Sequence, residues 1–168
     1  MSRAFVKESD DDLSAGELPE RPLSAHANYV TARGLEQLHA RVRELGDLHE
    51  RLKSVAEEDS GARQKLREVE RDQRYFNAQL ERAIMVDPAA QPHDEVRFGA
   101  ELTVVDGGGR AHRFNIVGDD EADVAAGKIS WASPVARAMI GSKVGDVVTW
   151  KRASGATEVE IVEIRYPA

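Results

Sequence analysis

Three consecutive carboxylates, Glu57, Glu58 and Asp59, and a row of guanidiniums at Arg63, Arg67, Arg71 and Arg74 are the residues of this 168-residue chain best suited to chemistry. Adjacent acids offer the hard oxygen donors that Mg²⁺ prefers, and Mg²⁺ sites use one or two protein carboxylates with water and phosphate completing the shell. Arginines three or four residues apart share one face of a helix, where their paired N–H donors suit phosphate. Other chemistries are missing. The absence of cysteine excludes a disulfide framework, a thiol nucleophile and a Cys-based metal centre. His26, His39, His49, His93 and His112 show no HxxxH or HxH spacing, and there is no GxSxG nucleophile motif. No intrinsic active site is evident in the chain.

The elements that must carry these residues follow from apolar spacing. Leu35, Leu38, Val42, Leu45 and Leu52, with His49 in the remaining slot, repeat at alternating intervals of three and four. Ala62, Leu66, Val69, Gln73, Phe76, Leu80 and Ala83 do the same. This is the seam of two amphipathic helices. One antiparallel register, with Leu38 opposite Leu80, Leu45 opposite Gln73 and Leu52 opposite Leu66, pairs the two stripes along their length. It places the turn at Glu57–Gly61 and the acids at the far end. Arms of about 24 residues give a hairpin roughly 36 Å long, with Thr31 as the N-cap of the first helix. Outside the seam nearly every position is charged, as expected of a rod that projects into solvent.

The flanking segments differ in composition. Residues 1–30 carry Pro19, Pro22 and the acidic run Asp10–Asp12, and read as an extended acidic arm. Residues 31–87 form the hairpin. Residues 88–168, entered through Pro88-Ala-Ala-Gln-Pro92, hold most of the glycines and both tryptophans. Strands are expected at Glu101–Asp106, His112–Val117, Val147–Lys151 and Glu158–Tyr166. One short helix is expected behind the Ser133 N-cap, with Pro134 at its first position and Gly141 after its end. The fold class is therefore α+β: a helical hairpin followed by an antiparallel β-domain. No run approaches 18 apolar residues, and the first residues lack the apolar core of a secretory signal, so a cytoplasmic location is expected. A net charge of −7 argues against a free-standing nucleic-acid binder.

Several blocks resemble the Gre transcript-cleavage factors of bacterial RNA polymerase, GreA and GreB. They are Gly118-Asp119-Asp120-Glu121-Ala122-Asp123, Gly127-Lys128-Ile129-Ser130, Ser133 to Gly141 and Val144-Gly145-Asp146-Val147. Thr31-Ala32-Arg33-Gly34-Leu35 and Lys65 through Asp87 add to the likeness, which covers about 31–168. The resemblance implies an FKBP-like β-domain that docks on RNA polymerase through Ser133, Pro134 and Val135. It also implies a hairpin that enters the polymerase secondary channel as a monomeric accessory factor, not an enzyme. Glu57, Glu58 and Asp59 would be its catalytic tip, with Glu58 and Asp59 helping to hold a Mg²⁺ shared with the polymerase and no cofactor held stably by the chain. Arg63, Arg67 and Arg71 would face nascent RNA, so that RNA and DNA are reached only inside the transcription complex. No membrane partner is implied. Two departures stand out. The hairpin is shorter than that of GreB, by about 10 Å of reach at 1.5 Å per residue. The family's tip motif has its only echo in Gly46-Asp47-Leu48-His49-Glu50, inside the first arm. The alternative function is a non-cleaving secondary-channel regulator that inhibits or modulates the polymerase.

Overall fold

The computed structural model describes residues 18–167. The expected arm 1–30 lies outside the described residues over 1–17; residues 18–27 run as irregular chain, and Asn28–Val30 form a strand, β1. Two helices follow, α1 (Ala32–Lys53) and α2 (Ser60–Glu81), then β2 (Ala83–Met85). β1 and β2 pair in parallel, Tyr29 opposite Ile84, and close the base of the hairpin. At 1.5 Å per residue each 22-residue helix is about 33 Å long.

The helical seam follows the expected register. Leu38, Leu45, Ala56, Ala62 and Val69 are buried. Gln73 Nε2 donates to the Leu45 carbonyl at 3.4 Å, and His49 Nε2 lies 3.3 Å from Glu70 Oε1. These half-buried polar seam groups find their partners across the hairpin, which fixes the stagger of the two rods. Gly46–Glu50 lies within α1 and is no turn. The turn itself is Ser54–Asp59, earlier in the chain than the expected Glu57–Gly61. The reason is local. Asp59 adopts an extended conformation and its Oδ1 accepts from the N–H groups of Gly61 (2.8 Å) and Ala62 (3.3 Å). That satisfies donors which the first helical turn otherwise leaves open, so Ser60 and Gly61 join the helix.

The C-terminal part is a curled five-stranded sheet in the order β5-β4-β3-β7-β6. Its strands are β3 (Glu101–Asp106), β4 (Ala111–Val117), β5 (Lys128–Ser130), β6 (Val147–Arg152) and β7 (Gly155–Arg165). β3, β4, β6 and β7 pair antiparallel; β5 joins β4 in parallel. One short helix, α3 (Pro134–Met139), is capped by Ser133 as expected. Alternation sends Leu102, Val104, Val159 and Ile161 to one face, where Ile116, Ala136 and Met139 complete the core. The single short helix covers the sheet face that the alternation makes apolar.

Candidate functional site

The hairpin turn has three acids in unlike situations. Glu57 and Glu58 are exposed, and among the described residues neither side chain makes a hydrogen bond or ion pair. Asp59 is also exposed, but its Oδ1 serves α2 as the N-cap. Arg63 turns back from the first turn of α2, donating from Nε to the Ala56 carbonyl (3.2 Å) and from Nη2 to the Glu57 carbonyl (3.1 Å). It braces the turn that carries the two glutamates and places a positive charge beneath them. Val55, nearly half exposed at 48%, adds an apolar contact to the same tip.

The basic row below is only partly spoken for. Arg67 donates to the Gln64 side chain, and its buried Nε has no partner. Arg71 is held by Asp72 at 3.0 Å. Arg74 forms a forked pair with Glu20, the shorter contact being 2.6 Å. That pairing holds the Glu20 carboxyl below the usual range and raises Arg74. Along the stem, Arg63 and Arg67 thus have no carboxylate partner among the described residues, whereas Arg71 and Arg74 do.

What aims the tip is the joint between hairpin and β-domain, and sequence reasoning missed its role. Gly118-Asp119-Asp120-Glu121 stands out in the sequence only as part of a family-like block, yet its acids bolt both helices. Thr31 Oγ1 accepts from Gly34 N–H at 2.9 Å, capping α1, and donates to Glu121 Oε2 at 2.5 Å. Glu121 is buried and also faces Lys128 Nζ at 3.7 Å. Asp120 accepts from Tyr75 Oη (2.9 Å) and from Gln79 Nε2 (2.8 Å) on α2. Burial first, and the Asp120 contact second, push the Tyr75 phenol up to about 12, so it stays a donor at neutral pH. The backbones approach so closely that a Cβ on Gly118 would sit 2.4 Å from the Tyr29 carbonyl oxygen, and one on Gly34 2.8 Å from Glu121 Oε2. Tyr29 packs edge-on against Trp131 and close to Phe98. A signal existed: two glycines next to capping and acidic residues mark places where backbones meet.

The expected docking loop is divided. Ser133 caps α3, Val135 packs against the sheet core, and Pro134 is exposed. The Phe and Trp residues of the β-domain are spent on the joint (Phe98, Trp131) and on a cluster of Phe114 with His112 and Trp150, while Tyr166 stacks on His93, so among the described residues the aromatics do not gather in one place.

No helix among the described residues is long and apolar enough to cross a membrane, and no group of three His, Asp or Glu there could hold a metal by itself. The family model "Transcription elongation factor, GreA/GreB, C-term" matches residues 91–166. GreB of Neisseria meningitidis serogroup A is 40% identical over 105 residues, covering 62% of this chain and 64% of that protein; the chain thus spans somewhat under two thirds of that relative. GreA of Alkalilimnicola ehrlichii is 36% identical over 159 residues, covering 82% of this chain and 96% of the relative. A solved GreA/GreB from Nitrosomonas europaea is 22% identical with a TM-score of 0.42, covering 83% of this chain and 99% of that one. With more than a third of the residues shared along almost the whole of a GreA protein, the chain belongs to the GreA/GreB family of transcription elongation factors.

Proposed function

We propose that the chain binds bacterial RNA polymerase as a monomer, passes its hairpin through the secondary channel, and presents Glu57 and Glu58 to the polymerase active centre to stimulate Mg²⁺-dependent cleavage of backtracked RNA. The observation that supports this reading is that two carboxylates without a partner among the described residues stand at the far end of a braced rod whose base is bolted to the β-domain. The donor set suits an ion shared with a partner: two exposed glutamates can complete a shell begun elsewhere, whereas Asp59 has one oxygen committed to its helix. When bound between these acids and the polymerase's own ligands, the cation would supply Lewis-acid stabilisation of the attacking and leaving oxygens.

The chain's own residues do the positioning. Arg63 holds the turn against α2, Asp59 starts the helix in the right place, and the Asp120 and Glu121 contacts fix the direction in which the rod points. Pro134, exposed at the start of α3, is the part of the 133–135 loop available to the polymerase surface, while Ser133 and Val135 shape it. Arg63, Arg67 and Arg71 are the residues available to nascent RNA along the stem. Such a partner places the chain in the cytoplasm.

A second reading is favoured by the use of Asp59 as a cap and by a reach of only about 33 Å: the hairpin occupies the channel without lending a ligand, and the protein modulates the polymerase instead of aiding cleavage. The separating experiment is the rate of 3′-end cleavage in a defined backtracked complex. Stimulation that Glu57→Gln plus Glu58→Gln abolishes supports the first reading. Binding with no stimulation, accompanied by slowed nucleotide addition, supports the second.

A further inference from the structure

Residues 18–27 form a strap that climbs α2 from the base of the hairpin toward its tip. Arg82 Nη2 donates to the carbonyls of Ser24 (2.9 Å) and His26 (2.6 Å). Arg21 pairs with Asp72 at 3.5 Å and stacks 3.9 Å over the Tyr75 ring. Glu20 grips Arg74 through both oxygens. From Arg82 to Arg74 the helix rises about 12 Å, which four to six residues of extended chain span comfortably at up to 3.3 Å each. The strap is therefore extended, runs parallel to α2, and meets the basic row at Arg74.

The row continues beyond that point. Arg67 and Arg63 lie about 10 and 16 Å further up the helix, and neither has a carboxylate partner among the described residues. The chain preceding Glu20 carries Glu17, Asp12, Asp11, Asp10 and Glu8. At full extension Glu17 reaches about 10 Å past Glu20 and Asp12 about 26 Å. Full extension thus brings Glu17 level with Arg67, and the Asp10–Asp12 run has about 10 Å or more of chain beyond what reaching Arg63 requires.

We propose that the acidic segment Glu8–Glu17 docks on the Arg63–Arg67–Arg71 face of α2 as a continuation of the strap, and so screens that face from RNA and other polyanions. The arrangement is an intramolecular competitor. A chain held at Arg74 by a forked ion pair presents its acids at high local concentration, while exposed ion pairs are individually weak and salt-sensitive. A strong polyanion can therefore displace it, and solvent salt weakens it. The inference stands on the strap and the charge order alone, independent of where the hairpin acts.

The chain lacks cysteine, so a nitroxide on Ser14→Cys in the full-length protein is a clean probe. The expected result is paramagnetic broadening of the amide resonances of residues 60–71, abolished by the quadruple neutralisation D10N, D11N, D12N, E17Q and by high salt. Broadening that falls elsewhere, or that survives neutralisation, overturns the proposal. In parallel, the neutralised variant should bind a single-stranded RNA oligonucleotide about tenfold more tightly than the parent at low salt, and substituting Arg63 and Arg67 by Gln should remove that gain. Unchanged RNA affinity after neutralisation, or a gain that persists without the two arginines, contradicts the screening role.

Discussion

The Thr31 hydroxyl stands 2.5 Å from Glu121 Oε2 and takes the Gly34 N–H at 2.9 Å. One side chain therefore starts the first helix of the probe and fastens it to the β-domain. Thr31→Ala removes the cap and leaves a buried carboxylate short of a donor. Losses of about 1 kcal/mol for the cap and about 1–3 kcal/mol for the unsatisfied acid are expected, with Thr31→Ser retaining most of the stability. Urea unfolding of the three proteins checks this.

Gly118→Ala tests the close approach at the same joint. A methyl group 2.4 Å from the Tyr29 carbonyl oxygen meets backbone, which cannot swing away. The expected cost is about 1–3 kcal/mol, with loss of the Tyr29–Trp131 contact. A lower thermal midpoint together with changed Trp131 fluorescence would be the readout.

Asp59 separates two roles. As an N-cap it should tolerate Asn, while Ala costs about 1 kcal/mol. Glu57→Gln and Glu58→Gln should leave stability unchanged, since neither side chain has a partner among the described residues. If Asp59→Asn keeps full stability and full stimulation of cleavage, the residue acts through the helix; if it keeps stability and loses stimulation, the carboxylate charge itself is needed.

Tyr75 gives a pH signature. Its folded-state value of about 12 lies above the ordinary phenol value of 10.0, so the folded protein holds the phenolic proton more tightly than the unfolded chain. The corresponding stability is complete below pH 10 and is lost as pH rises toward 12. Tyr75→Phe should remove this slope. Urea midpoints between pH 9 and pH 12, with the tyrosinate absorbance followed in parallel, test the sign.

The hairpin was legible because its information is local and periodic: a stripe at three- and four-residue spacing on both arms leaves one good register, and the Leu45–Gln73 contact lies in it. The four longer strands were legible through alternation. β1, β2 and β5 were not, because three residues carry no period and β1 pairs across more than fifty positions. The joint was hidden for the same reason: Glu121 meets a partner 90 residues away and Asp120 partners 45 and 41 away. Asp59 was read only as a ligand, because its role as the cap of α2 depends on the extended backbone at that residue, which no spacing announces.

The most direct test is where the tip sits in a transcription complex. With no native cysteine to compete, a short photo-cross-linker on Val55→Cys reports the neighbours of the turn. In a backtracked RNA polymerase complex the cross-links should fall on the RNA 3′ segment and on polymerase residues around its catalytic metal. Cross-links confined to the outer surface of the enzyme, or none at all while the β-domain remains bound, would contradict a hairpin that delivers its acids to the active centre.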